Sequence, residues 1–322
     1  MRVVFMGTPD FSVGTLQAIA EKGYEIVGVV TQPDKPKGRG KQMQPTPVKE
    51  AALTLGLPVY QPSKVRTPEA VEMIRSMNPD VIVVVAFGQI IPREILELPP
   101  LGCINVHASL LPAYRGAAPI QWAVINGEPI SGVTIMKMDE GLDTGDMLAK
   151  TEVVLEADET GGSLFEKLSA AGAKLLTDTL PLLADGKIMP EAQPKESTTE
   201  YARMIRKEDG HIEWTKSAVE IERLIRGMNP WPSAYTTLDG KSLKIWKARV
   251  VAMPGGDLFS RLPGQDPKKS AGKIWVADES GIHVKTGDGI LIIEELQLAG
   301  KKRMKTADFL RGYFVKPGMR LE

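Results

Sequence analysis

Two different spacings of apolar residues run along this chain, and the change from one to the other divides it. In the first part, short and almost wholly apolar runs alternate with stretches where apolar residues recur every three to four positions. The runs "RVVFM" (2–6), "EIVGVVT" (25–31), "PVYQ" (58–61), "DVIVVVA" (80–86), "GCINVH" (102–107), "GVTIMKM" (132–138) and "MLAKTEVVL" (147–155) predict strands. The intervening residues 11–23, 47–56, 67–77 and 160–186 predict helices. Thr67, followed by Pro68 and Glu69, has the chemistry of a capped helix start. A strand apolar on both faces, such as 80–86, belongs inside a parallel sheet. The alternation therefore predicts an α/β fold with a doubly wound, mostly parallel sheet and right-handed crossovers.

Past "PEAQPKEST" (190–198) the pattern changes. One helix over 217–229 precedes five short strands at 233–238, 241–251, 272–278, 281–286 and 289–298, with Asp239-Gly240 and Asp288-Gly289 at turns and a polar loop over 254–272. The organisation expected is a first domain over 1–189, a linker over 190–205 and a second domain over 206–322, built as a small β-barrel or sandwich.

Composition narrows the class without deciding the function. An apolar share of 43% and a charged share of 25% over 322 residues are ordinary for globular domains. No apolar run is long enough to span a bilayer, and "MRVVFMGTPDFS" has no leader pattern. The single cysteine, Cys103, excludes an internal disulfide and a cysteine zinc cage, so a cytoplasmic, reduced setting is expected. A formal charge of zero hides an imbalance. Residues 1–203 carry 19 basic and 25 acidic side chains, leaving 21 basic and 15 acidic of the 40 each in 204–322. A basic second part points toward a polyanionic partner, though a solvated surface accounts for it as well.

Candidate chemistry gathers around "INVHASLLPAYRGAAPIQWAV" (104–124), a strand followed by a Pro-bounded turn and a helix-like run. Asn105 and His107 stand at an i, i+2 spacing, on one face and about 7 Å apart. Ligands of open α/β sheets bind beyond the carboxyl ends of the strands. An amide donor beside a donor that can carry charge suits a developing oxyanion, and a satisfied structural pair is equally compatible with the spacing. Asp143, in "MDEGLDTGDML" (138–148), is expected at the same carboxyl edge, where it could hold a histidine's tautomer. The turn "MGTPDFS" has one glycine where a dinucleotide fingerprint needs three. His211 and His283 form no ligand spacing, which argues against a metal. Lys35, Lys37, Arg39, Lys41 and Lys49 share a segment without acids that could follow a phosphate backbone.

"NVHASLLPAYRGAAPIQWAV" followed by "GVTIMKMDEGLDTGDML" closely resembles the folate-dependent formyltransferases. "MGTPDFS", "QPDKPKGRGKQMQPTPVK" and "MNPWPSAYT" narrow the resemblance to the branch that formylates methionyl-tRNA, over essentially the whole chain. The resemblance implies a Rossmann-like catalytic domain followed by an OB-like barrel that supports tRNA binding. It implies transfer of the formyl group of 10-formyltetrahydrofolate to the α-amine of methionyl initiator tRNA, for translation initiation. Neither a metal nor more than a monomer is called for. Asn105, His107 and Asp143 match the family's catalytic trio. Ser109, Leu110, Leu111 and Pro112 match the segment that binds the formyl folate, and Phe87, Gly88, Ile91 and Asp139 match regions lining the pterin pocket. Arg39 matches an arginine approaching the aminoacyl end of the tRNA, with Lys37 and Lys41 in the same loop. The chain departs at Ala113, where many relatives have a basic residue.

Overall fold

The structure, a computed structural model, describes residues 1–37, 42–251 and 267–322. Arg39, Lys41 and most of the polar loop at 254–272 lie outside the described residues. The chain divides into two compact units. One comprises residues 1–119, 130–154 and 165–203, the other residues 120–129, 155–164 and 204–322.

The first unit is built on strands β1 (Arg2–Gly7), β2 (Glu25–Val30), β5 (Val59–Tyr60), β6 (Val81–Val85), β7 (Cys103–His107), β8 (Ile130–Lys137) and β9 (Met147–Val154). They form one sheet in the order β5-β2-β1-β6-β7-β8-β9. Four pairings, from β5 across to β7, are parallel, and β8 and β9 add an antiparallel edge. The apolar run of β6 is buried along its whole length, as a central strand covered on both faces must be. β9 alternates inward and outward residues, as an edge strand exposed on one face does. Val3, Val4, Phe5 and Met6 on β1 are fully buried, each worth about 1.5–3 kcal/mol of transfer free energy for the large side chains.

Helices α1 (Val13–Glu21), α2 (Pro47–Thr54), α3 (Pro68–Ser76), α4 (Arg93–Leu96), α5 (Pro119–Asn126) and α6 (Gly161–Ala184) follow the strands. Thr46 and Thr67 cap α2 and α3, accepting from the amides of Lys49 and Ala70 ahead of a proline at the first helical position. Gly172 of α6 has no side chain, which lets the helix close on Val106 of β7 and Val133 of β8. Val106 thus faces α6, and the alternation of β7 sends Asn105 and His107 to the other face. Two three-residue strands, β3 (Lys35–Lys37) and β4 (Gln42–Gln44), pair antiparallel within the segment read from sequence as a loop.

The second unit holds α7 (Ala218–Gly227), β10 (Ala234–Leu238), β11 (Lys241–Val250), α8 (Pro267–Ser270), β12 (Ile274–Asp278), β13 (Gly281–Lys285), β14 (Ile290–Leu298), β15 (Met304–Lys305) and α9 (Thr306–Gly312). Its sheet runs β10-β11-β14-β13-β12, with β15 on β14, and every pairing is antiparallel. Ser217 and Glu220 form a capping box for α7, whose Ala218, Ile221 and Ile225 are buried. Residues 120–129 and 155–164 belong to this unit for local reasons. Ile125 packs where a side chain on Gly227 would stand, Gly162 N donates to Asn229 O at 2.9 Å, and Arg226 donates to Glu159 O at 2.8 Å. The units therefore do not follow chain order, whereas the sequence pattern suggested one break at 190–205. Among the described residues, no helix is long and apolar enough to cross a membrane.

Candidate active site

Asn105 and His107 end β7 at 9% and 6% exposure, low enough to be shielded and high enough to be touched. They pair with Met136 and Thr134 of β8. His107 Nε2 lies 3.1 Å from the carbonyl oxygen of Tyr114. A carbonyl can only accept, so Nε2 carries a proton and Nδ1 is the nitrogen left to face the site. Nδ1 lies 3.7 Å from Asp143 Oδ1, beyond hydrogen-bond length and within ion-pair range. Asp143 Oδ2 accepts from the amide of Gly116 at 2.9 Å. No described residue hydrogen-bonds the Asn105 carboxamide, which leaves both of its N–H groups to a ligand.

Asp143 reaches His107 by a route the sequence did not suggest. Because β8 is antiparallel, it leaves the sheet at Lys137, opposite Ile104 and about 10 Å before His107 along the strand. The loop over 138–146 must fold back across the sheet face to bring Asp143 to the imidazole. Its own contacts hold it there. Asp139 accepts from Gly141 N at 3.0 Å and from Thr144 Oγ1 at 2.8 Å, and Lys137 N donates to Asp146 O at 2.8 Å. Gly145 lies so close to the Lys137 carbonyl that a Cβ would collide with it. Asp143 and Tyr114 both have φ of 56°, and Ala86, just after β6, has 45°. Three non-glycine residues in the left-handed region around one site store strain of about 1–3 kcal/mol each.

The residues matched to folate binding divide into turn and wall. Thr134 Oγ1 donates to Ser109 O at 2.7 Å and accepts from Leu111 N at 3.0 Å, pinning residues 109–112 onto β8. The Ser109 hydroxyl donates to Ala113 O at 2.6 Å, and Ser109 and Leu111 are buried, so their side chains serve the turn itself. Leu110 and Pro112 are half-buried, and the Leu111-Pro112 bond is cis. Phe87 and Ile91 are buried in one apolar cluster with Ile95 and Leu96, and Met138 packs against it and also against Leu111, Met136 and Met147. Gly88, at φ 80°, has its carbonyl held by Gln32 at 2.9 Å. Lys37 ends β3.

One part of the site gave no signal in the sequence. Residues 191–203, read as linker, lie along the loop that follows β7. Glu191 exchanges two backbone hydrogen bonds with Met147, Ser197 Oγ donates to Pro112 O, and Thr199 Oγ1 accepts from Tyr114 N. Ala202 N donates to Arg115 O at 2.8 Å. Arg115, only 8% exposed, spends its guanidinium on Gln193 Oε1 and on the carbonyls of Pro194 and Lys195. Polar runs of this kind look identical to linkers in sequence because main-chain and short polar contacts have no period.

Two clefts open on the first unit. One of about 360 Å³ opens at the carboxyl ends of β1 and β2, lined by Thr8, Asp10, Gln32, Lys35, Thr46 and Glu50. The other, about 580 Å³, lies beside the loop after β8, with Arg93, Glu97, Lys137, Met138 and Asp139 in its wall. Neither is lined by Asn105, His107 or Asp143. Burial pushes the Cys103 thiol up to about 12, and its sulfur faces the Ile95 carbonyl at 3.5 Å, so it is no nucleophile. Among the described residues, no three His, Cys, Asp or Glu side chains gather as metal ligands.

Comparison with known proteins identifies the family. Residues 1–180 match the family described as formyl transferase, and residues 204–313 match the formyl transferase C-terminal domain. The chain is 58% identical to the methionyl-tRNA formyltransferase of Agathobacter rectalis over 318 residues, covering 99% of this chain and 98% of that one. It is 51% identical to the methionyl-tRNA formyltransferase of Clostridioides difficile over 319 residues, covering 99% of each. Among solved structures, it resembles the N-formyltransferase of Helicobacter canadensis in complex with folinic acid and dTDP-3-aminofucose. That likeness has a TM-score of 0.63 at 18% identity, over 90% of this chain and 98% of that one.

Proposed function

The chain belongs to the formyl transferase family, and from that premise we propose that it transfers the formyl group of 10-formyltetrahydrofolate to the α-amine of methionyl initiator tRNA. The observation that carries the chemistry is His107, anchored at Nε2 by the Tyr114 carbonyl and facing Asp143 through Nδ1, on the same strand face as an unengaged Asn105. The acceptor follows from relatives named methionyl-tRNA formyltransferase at 51% and 58% identity over nearly all of the chain.

The reaction joins the amine nitrogen to the formyl carbon and breaks the bond from that carbon to the folate nitrogen. The amine gives up a proton and the folate nitrogen gains one. Negative charge builds on the formyl oxygen on the way. Asn105 donates an N–H to that oxygen, and protonated Nδ1 of His107 donates another, each worth about 3 kcal/mol in a shielded, preorganised site. The separation of 3.7 Å between Nδ1 and Asp143 leaves room for this sharing, and a water beside Asp143 carries the amine proton away. The apolar wall of Phe87, Ile91 and Met138 suits a flat pterin ring, with Gly88 beside it. Residues 109–112 offer the donor main-chain groups on a turn fixed to β8, and the Asp139 carboxylate keeps the Asp143 loop in shape. All of these residues come from one chain, so the reading needs no second copy.

Arg39, Lys37 and Lys41 take the acceptor end of the tRNA in this reading, and the C-terminal part of the chain, residues 206–322, takes its body. On that part Arg303 lies 4.9 Å from the Trp246 ring and Lys244 lies 5.7 Å from it, the mixture of cations and aromatic that nucleic acid favours. Work in translation initiation puts the protein in the cytoplasm. The test is direct: incubation with 10-formyltetrahydrofolate and methionyl initiator tRNA yields N-formylmethionyl-tRNA and tetrahydrofolate. Absence of the formylated product with both substrates saturating would sink the reading.

A further inference from the structure

We propose that Gln193 is a positioning residue, which clamps the Asp143 turn to the loop after β7 and so sets the gap between Asp143 and His107. The inference rests on the reading of Asp143 and His107 as catalytic. Its Oε1 accepts from Arg115 Nε at 3.1 Å and from a terminal nitrogen of the same guanidinium at 2.8 Å. Its Nε2 donates to Asp143 O at 2.9 Å and to Gly145 O at 2.7 Å. One amide therefore joins both loops that carry His107's neighbours, because Arg115 directly precedes Gly116, whose N–H holds the Asp143 carboxylate.

The chemistry admits few other side chains. A guanidinium has only donors and a main-chain carbonyl only accepts, so the bridging group must accept twice at one end and donate twice at the other. This also fixes which way the amide points. A glutamate would set two acceptors against two carbonyls, a lysine would set a cation against Arg115, and an asparagine is one methylene short. All four hydrogen-bonding positions are filled, Arg115 is buried and Gln193 half-buried, so water replaces the clamp only in part. What it holds is under strain. Asp143 adopts φ 56°, a left-handed conformation that a non-glycine residue takes at a cost. A turn so placed relaxes when its outer tether is cut, and the imidazole loses its partner.

The experiment uses the full chain carrying Gln193→Met, which keeps length and loses every hydrogen bond, and Gln193→Glu, which keeps the Arg115 pairing and loses the two donors. Each is also combined with Asp143→Ala, and formylation is followed at saturating and limiting substrate. Both single variants are expected to lose kcat about 10- to 100-fold, with KM for tRNA and for the formyl donor within about threefold of wild type. In the Asp143→Ala background, either substitution is expected to cost less than about threefold more, since its effect passes through Asp143. If Gln193→Met does not fold, Gln193→Glu alone decides the matter. Turnover near wild type in the Gln193 variants, with Asp143→Ala inactive, overturns the clamp and leaves the catalytic reading standing. A full multiplicative loss on top of Asp143→Ala also overturns it, because that is what a general loss of stability gives. Near-normal turnover by Asp143→Ala removes the catalytic reading, and the clamp falls with it.

Discussion

At the scale of single residues, the structure says which nitrogen of His107 faces Asp143. With Nε2 committed to the Tyr114 carbonyl, that nitrogen is Nδ1, and the proposed reaction uses it. An asparagine amide stands roughly where Nδ1 does, and a glutamine amide where Nε2 does. His107→Asn is therefore expected to keep more formylation than His107→Gln, with His107→Ala and Asp143→Ala down by several orders of magnitude in turnover. The reverse order of the two amides would assign the work to Nε2. Cys103 gives a second expectation, on stability. Its thiol ionises near 9.0 in the unfolded chain and near 12 when buried. Between those values the unfolded chain has lost a proton that the folded chain retains, so stability falls as pH rises through that window. Urea midpoints should drop over this range in the wild type and drop less in Cys103→Ala. The shared face of Asn105 and His107 was legible in the sequence because strand alternation fixes it. The Tyr114 partner of His107 was not, since a main-chain carbonyl contact leaves no mark on residue type.

At the scale of elements, strands and long helices could be read because burial imposes a period, as in β6, and because Thr46, Thr67 and Ser217 cap their helices. The elements that escaped are short. β3 and β4 have three residues each, α4 has four, and α9 has seven with only Thr306 and Phe309 buried. The direction of β8 also escaped, since an apolar run carries no sign of whether its neighbour runs with it or against it. That direction is what makes the Asp143 loop fold back, and Gly145 makes the fold possible. Gly145→Ala must push the loop off the Lys137 carbonyl, and it is expected to lower stability by about 1–3 kcal/mol and turnover with it. Thermal unfolding and formylation of the same preparation check both. Unchanged values in this variant would mean that the loop tolerates a different path.

At the scale of the whole molecule, the proposed reaction gives the charge imbalance between residues 1–203 and 204–322 a use as a tRNA surface. The logarithm of the formylation rate at limiting tRNA should then fall linearly with the logarithm of salt concentration, and Arg39→Ala should lower that slope by about 1 without changing KM for the formyl donor. A slope near zero in the wild type would leave the basic residues without a nucleic-acid role. The central claim is that this site formylates methionine carried by the initiator tRNA, and one measurement addresses it most directly. Initiator and elongator tRNAs, both charged with methionine, are compared side by side for kcat/KM with 10-formyltetrahydrofolate as donor. A large preference for the initiator is predicted. Equal rates on the two, or no formylation of either, would contradict the account.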